Sequence, residues 1–400
     1  MSLAFIPYGC YWSTPFAKWN GAFAHLHALD FAAHTARGFL AGRGIDGGAI
    51  DLGVLGMTVP QRGCFYGAPW LMGRIGLAHV GGPTIMQACA TSARSIQLAA
   101  REVAQGRTRA ALVVTADRVS RGPILVHPDP QAPGGGGYAE NWVMDNFGKD
   151  PFAGVDMLTT AENVARRHGV STAEQHDTVL RRYEQYCDAL AGDRAFQRRY
   201  MTLPFEVPDA RLRGTAAVIE GDQGVAPSTR EGLDRLKPVR PDGTITYGGQ
   251  THPADGNAGM IVTSRECARE MSRDPGIEVS ILGFGMARTE LAHMPMAVVP
   301  AAREALADAG IGIADVAAVK SHNPFVVADL VFSRETGFPL EAMNNYGCSL
   351  IYGHPQGPTG MRLIVELIEE LALRGGGIGL FQGCAAGDTA MALVVRVDRA

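Results

Sequence analysis

One order of events occurs twice along the chain, and it constrains the fold more than any other feature. Gly81-Gly82-Pro83 breaks the chain, Thr84 to Cys89 leads into the helix-forming stretch Ala90 to Ala100, and the apolar run Ala110 to Ala116 follows. Far downstream, Gly353-His354-Pro355-Gln356-Gly357-Pro358-Thr359-Gly360 is followed by an amphipathic stretch, Met361 to Leu373, and then by Ile378-Gly379-Leu380-Phe381. The spacing from turn to strand is 29 residues in the first copy and 25 in the second. A turn, a helix and a buried strand repeated in both halves predict an α/β protein built from two related units.

The apolar content supports that size. Of 400 residues, 46% are hydrophobic and 19% charged, which excludes a disordered chain. The formal charge of -4 gives no bulk attraction to nucleic acid. The 50 glycines are scattered without a period of three, so they mark turns and close approaches rather than a collagen-like repeat. Seven cysteines with no C-x-x-C pair suit a reducing compartment and predict no disulfide or zinc framework. No uncharged apolar run approaches 18 residues and Met1 to Pro7 lacks the pattern of a secretion signal, so a cytoplasmic protein with no membrane span is expected.

Helical spacing of Phe23, Leu26, Leu29, Ala32, Ala36 and Leu40 predicts a helix over 22–42 that stops at Gly42-Arg43-Gly44. Gly42, Gly44 and Gly47 spell G-x-G-x-x-G, but they follow a helix instead of a strand and so mark a helix stop, not a dinucleotide site. Residues 120–250 read as an insertion that starts with irregular chain, Pro128 to Gly137. It includes a helix announced by the capping box Ser171-Thr172-Ala173-Glu174.

Four segments stand out chemically. Cys89 opens a helix, where the unpaired N–H groups and the dipole would lower its pKa towards neutrality; the competing reading is a small core residue. His354, held by a stiff Gly-His-Pro turn, suits a general base. Cys384 lies just after a strand between glycines that permit close approach of a ligand. His322 and Asn323, following the apolar run at 316–319, offer hydrogen-bond donors to a developing negative charge, or else form an ordinary polar strand end.

Read together, these segments resemble the thiolase family over almost the whole chain. Asn344 to Gly360 is similar to the family's N-x-x-G-G-x-x-x-x-G-H-P-x-G-x-[ST]-G stretch, Met157 with Thr160-Ala161-Glu162-Asn163 to its M-G-x-T-A-E-N, and Lys237-Pro238 with Asp242 to Thr246 to its K-P-x-x-x-x-x-G-T-V-T. The resemblance implies a layered αβαβα core of two pseudo-repeated halves. An N-terminal half at 1–119 would be completed by about 250–272, a CoA-binding loop domain would occupy 120–249, and a C-terminal half 273–400. It implies CoA-dependent cleavage or formation of a 3-oxoacyl-CoA. Cys89 would carry the acyl group, His354 would deprotonate it, and Cys384 would be the second acid/base. One oxyanion hole would be formed by the cysteine amides, the other by His354 with the residue at the asparagine of N-E-A-F. Coenzyme A enters as substrate, with Met157 along the pantetheine and Thr251 at the family's serine position; arginines such as Arg213 and Arg230 are candidates for its 3′-phosphate. No metal is implied, and a homodimer or homotetramer is.

The departures carry information. The asparagine position of N-E-A-F is His322, which gives His322-Asn323-Pro324-Phe325, similar to the H-D-C-F form of sterol-carrier-protein-type thiolases. Some of their relatives work with a small zinc-binding OB-fold partner, so such a partner is an expectation here. Cys384-Ala385-Ala386-Gly387 lacks the first glycine of C-x-G-x-G, and the A-G-N-A-S-G loop reads Tyr247-Gly248-Gly249-Gln250-Thr251-His252. These changes, with His252 and the segment Gly134–Tyr138, suggest a pocket for a larger, aromatic or dicarboxylic acyl group. The competing readings are another condensing enzyme of the same fold and a non-catalytic or partner-dependent CoA-binding subunit.

Overall fold

The computed structural model describes residues 2–399. The period-two alternation within single strands shows the layering. In the strand Ala110–Arg118, Ala111 and Val113 enter one apolar cluster, while Ala110, Leu112, Val114 and Ala116 enter another beneath the helices Ala28–Arg43 and Gly67–Ile75. In Thr389–Arg399, Met391, Leu393, Val395 and Val397 enter that same first cluster, while Ala390, Ala392 and Val394 face a third, under the helix Val298–Ala309. The shared cluster is filled by the helices Thr91–Ala104 and Gly357–Leu373. Two sheet layers therefore sandwich a central helical layer, and further helices cover each outer face.

The halves obey one plan. In the N-terminal half Leu52–Gly56 runs parallel to Ala110–Arg118, which pairs antiparallel with Ala254–Thr263. In the C-terminal half Val316–His322 runs parallel to Gly377–Ala385, which pairs antiparallel with Thr389–Arg399. The last two strands are joined by Ala386–Asp388, whereas residues 119–253 separate their N-terminal counterparts. The sheet layers are also continuous, because Ala4–Pro7 pairs with both Ala254–Thr263 and Ile277–Arg288 and so links them into one 11-stranded sheet.

Local expectations shift in three places. The first helix starts at Ala28, since Phe23 and Leu26 reach the central core from a turn closed by Leu26 N–H donating to Phe23 O; it ends on Gly44 at φ 63°. The Pro/Gly-rich stretch is the tip of a hairpin, Ile124–Pro128 with Gly137–Asn141, rather than irregular chain. The strand before Cys384 extends to Ala385 and includes it. The capping box at Ser171 and Glu174 forms with both of its hydrogen bonds.

The central helices touch through small residues. A Cβ on Gly360 would lie 3.1 Å from Ser92 Cβ, and the Ser92 hydroxyl donates to Gly357 O. Asp117, at the end of its strand, accepts from Thr58 N, Val59 N, Thr58 Oγ1 and Gly357 N, each at 2.8 Å. One carboxylate thus fixes the start of the C-terminal central helix against the N-terminal half, which decides where the preceding Gly-His-Pro turn lies. Among the described residues no helix is long and apolar enough to cross a membrane.

Candidate active site

Cys89 stands in a tight turn between the short strand Thr84–Ile85 and the helix Thr91–Ala104. The residue before it, Ala88, is held at φ 43°, a left-handed conformation that turns the thiol towards the opposite half. There His354 Nε2 lies 3.1 Å from Cys89 Sγ. The ring's other nitrogen, Nδ1, is 2.6 Å from Thr359 Oγ1, on the first turn of the central helix. With Nδ1–H donating to Thr359, Nε2 carries the lone pair that accepts from the thiol. Gln356 Oε1, 3.3 Å from the sulfur, is a second acceptor, and Gln356 is itself strained at φ 60°.

The thiol is not acidified as its place at a helix start suggests. Burial pushes Cys89 up to about 12, outweighing the Ala386 amide that hydrogen-bonds the sulfur and favours the thiolate. Burial also holds His354 well below its ordinary range, and repulsion from His322 and His252 adds to this. The resting pair is therefore a neutral thiol and a neutral imidazole.

His322 ends the strand Val316–His322, and the parallel register sets it beside Gly383. A Cβ on Gly383 would come within 2.9 Å of His322 Cβ, so glycine there makes room for the ring. The His322 ring packs against His354, tilted by 31° with ring centroids 4.1 Å apart, and its Nδ1 is 2.9 Å from Ser349 Oγ. Burial alone lowers its pKa to about 3. Its Nε2 is buried and has no hydrogen-bond partner.

Asn323 braces this arrangement. Its Nδ2 donates to Asp329 Oδ2 at 2.8 Å, and its Oδ1 accepts from Leu350 N at 3.2 Å. Asp329 is in turn paired with Arg182 at 2.9 Å, both fully buried. Cys384 is fully buried, and burial first and Cys89 second push its thiol well above the ordinary value.

Cys89, His354, Met157 and Thr251 line one cavity of about 570 Å³. His322 and Cys384 are not among its lining residues, although a His322 ring nitrogen comes within 4.8 Å of Cys89 Sγ. Arg213 and Arg230 do not line it: Arg230 is tied to Asp177 on the surface, and Arg213 follows the outlying strand Phe205–Pro208. His252 and Gly134–Tyr138 are also absent from its walls. The His252 ring is wedged beside Gly224 and Gly353, and its carbonyl accepts the His354 N–H at 2.9 Å, while Gly134–Tyr138 sits at the hairpin tip. The walls are instead Trp142, Phe147, Phe152 and Phe325, with Arg288 at the rim.

Gln356, Thr359, Ser349 and the Ala386 amide escape a reading of the sequence as functional residues. For Thr359 a signal exists, the Ser/Thr of the G-H-P-x-G-x-[ST]-G pattern; nothing in the sequence marks Ser349 as the partner of His322.

Residues 12–266 match the thiolase N-terminal domain and residues 277–397 the thiolase C-terminal domain. The chain belongs to the thiolase family. It is an acyltransferase. At 29% identity, over 96% of each chain, it is similar to a probable acetyl-CoA acyltransferase of Staphylococcus aureus strain COL, and at 27%, also over 96% of each, to an acetyl-CoA acetyltransferase of Escherichia coli K12. Its thiolase fold is that of human mitochondrial 3-ketoacyl-CoA thiolase, with a TM-score of 0.89 over 99% of this chain and 100% of that one at 24% identity. Bacillus anthracis acetyl-CoA acetyltransferase gives the same score over 99% of both chains at 23% identity.

Proposed function

We propose that the protein is a CoA-dependent thiolase that acts on a 3-oxoacyl-CoA through an acyl-Cys89 intermediate. The observation that carries this is the line Cys89 Sγ, His354 Nε2, Thr359 Oγ1 opening into an apolar cavity. A neutral pair favours proton transfer in step with attack, since the separate thiolate and imidazolium are both disfavoured by burial. His354 takes the thiol proton as sulfur bonds to the 3-oxo carbon. The bond from that carbon to C2 then breaks, and the C2 carbanion of the departing acetyl-CoA takes the proton of Cys384. In the second half, the Cys384 thiolate takes the proton of an incoming CoA thiol, CoA sulfur displaces Cys89 from the acyl group, and His354 returns its proton to Cys89.

The Ala386 and Cys89 amides beside the sulfur suit one oxyanion, and His322 with His354 suits the other. Thr251 Oγ1 donates to Ser349 O at 2.5 Å, which leaves its lone pairs free for a pantetheine amide across the cavity from Met157. Human mitochondrial 3-ketoacyl-CoA thiolase has been solved in complex with CoA, which supports CoA as the thiol substrate here. The contact of Cys89 with His354 weighs against a non-catalytic subunit, and the retained Cys384 against another condensing enzyme. The test is intact mass after mixing with 3-oxoacyl-CoAs: an acyl adduct on Cys89 that clears on adding CoA supports the cycle, and no adduct from any donor overturns it.

For the acyl group, the walls favour one larger than acetyl, with an aromatic or carboxylate tail. Arg288 lies 5.3 Å over the Phe152 ring and has no ion-pair partner among the described residues. Arg288→Leu is expected to raise KM for a 3-oxo-dicarboxylyl-CoA by about tenfold and to leave acetoacetyl-CoA unchanged. An equal change for both would assign Arg288 to the CoA phosphates.

A homodimer is favoured by the edge strand Thr84–Ile85, beside the exposed Met86, and by the exposed Phe65 and Tyr66. The second apolar surface, Ile124, Val126 and Tyr138 on the hairpin, suits a tetramer contact or the zinc-binding OB-fold partner. Light scattering should give at least twice the chain mass of 42.4 kDa, and a monomer at micromolar concentration would remove the oligomer reading. With no membrane-crossing helix among the described residues, a cytoplasmic location fits this reading.

A further inference from the structure

Cys89 Sγ and one ring nitrogen from each of His322 and His354 lie within 4.8 Å of one another. The two Nδ1 atoms are occupied, by Ser349 Oγ at 2.9 Å and Thr359 Oγ1 at 2.6 Å, so Nε2 is the atom each ring presents. His322 Nε2 is buried and unpartnered. We propose that these three residues form a binding site for a borderline-soft divalent cation, best suited to Zn²⁺, whose occupancy and acyl transfer exclude one another.

The donor set is one thiolate and two imidazoles, which zinc prefers over harder cations. Each imidazole can donate its Nδ1–H to a hydroxyl oxygen, the outer arrangement that orients metal-bound histidines and fixes their tautomer. A tetrahedral zinc with bonds of about 2.0–2.3 Å needs its ligand atoms roughly 3.3–3.6 Å apart, so a closure of about 1 Å completes the site. The 570 Å³ cavity in front of Cys89 leaves space for a water as the fourth ligand. On binding, Cys89 gives its proton to solvent and its sulfur electron pair to the metal; no redox change occurs, and the sulfur no longer reaches an acyl carbon. An asparagine at position 322 would supply a poorer ligand, so the site depends on a residue in which this chain departs from the family pattern.

Binding itself does not depend on the thiolase reading; only the mutual exclusion rests on it. The full chain carrying Cys187→Ser, which removes the exposed thiol, is titrated with Co²⁺ and then with Zn²⁺. One cobalt per chain with a thiolate charge-transfer band and four-coordinate ligand-field bands, displaced by zinc, is expected. Cys89→Ala should abolish the charge-transfer band, and His322→Asn should weaken binding at least about tenfold. Ser349→Ala, which keeps the ring and removes its support, should weaken binding as well and covers the case in which His322→Asn does not fold. A six-coordinate spectrum without a thiolate band, or unchanged affinity in the folded His322 and Ser349 variants, would overturn the site. Zinc should inhibit thiolysis competitively with acyl-CoA and EDTA should restore it; a metal-loaded protein with undiminished turnover would overturn the exclusion. Metal binding in a protein that no 3-oxoacyl-CoA acylates would leave the site standing and remove the thiolase reading instead.

Discussion

Cys89→Ala is expected to lower kcat/KM for thiolysis by about 10⁴-fold or more and to leave no acyl adduct, with the fold intact. The size of the effect follows from what replaces the lost step. Without the sulfur, CoA would have to attack the substrate directly, and His354 would have no thiol proton to take. The small side chain sits at the cavity wall, and none of the hydrogen bonds to the sulfur carries the fold, since Asp117 fixes the C-terminal central helix against the N-terminal half independently. Steady-state kinetics with acetoacetyl-CoA and CoA check this together with intact mass. Retention of more than a tenth of wild-type turnover would remove Cys89 as the nucleophile.

The second large effect is on stability. Arg362 lies on the central helix, fully buried, with Nη1 and Nη2 at 2.6 and 2.9 Å from the two oxygens of Asp222 and Nε 2.9 Å from Glu366. Its guanidinium also stacks 3.6 Å over Tyr352. Glu366 continues the network to Lys320 at 3.2 Å and to Tyr200 at 2.7 Å. Arg362→Met is expected to destabilise the protein by about 3–5 kcal/mol, because it leaves Asp222 buried without its partner. Urea unfolding measures the loss, and proteolysis should open the chain around Asp222 first, since Arg362 ties that segment to the core. A loss under about 1 kcal/mol would mean that the network relaxes without it.

Much of this was legible in the sequence because the features were local. The capping box at Ser171 needs only residues three apart, and the turn, helix and strand order needs only periodicity and breakers. Cys89 and His354 were legible as candidates for the same reason, each being framed by its own Gly/Pro turn. Where the local reading failed, a distant partner had decided the outcome. Phe23 and Leu26 have helical spacing, but the central core accepts them from a turn. The helix dipole argues for an acidic Cys89, yet the opposite half covers the thiol and desolvation outweighs the dipole. Asn323 stands where the family has glutamate, and only the fold shows it binding Asp329 and bracing Ser349 beneath His322.

The amino-acid order alone determined that two α/β units of one plan exist and where their breaks fall, and it offered Cys89 and His354 as candidates for nucleophile and base, because these readings depend on neighbours within a turn or two. The tertiary structure decided which of them meet. Cys89 and His354 are 265 residues apart and come within 3.1 Å because both central helices are buried between the same two sheet layers. It also decided the charge they carry and the walls of the cavity they face. Both depend on desolvation and packing across the halves, which no local window contains.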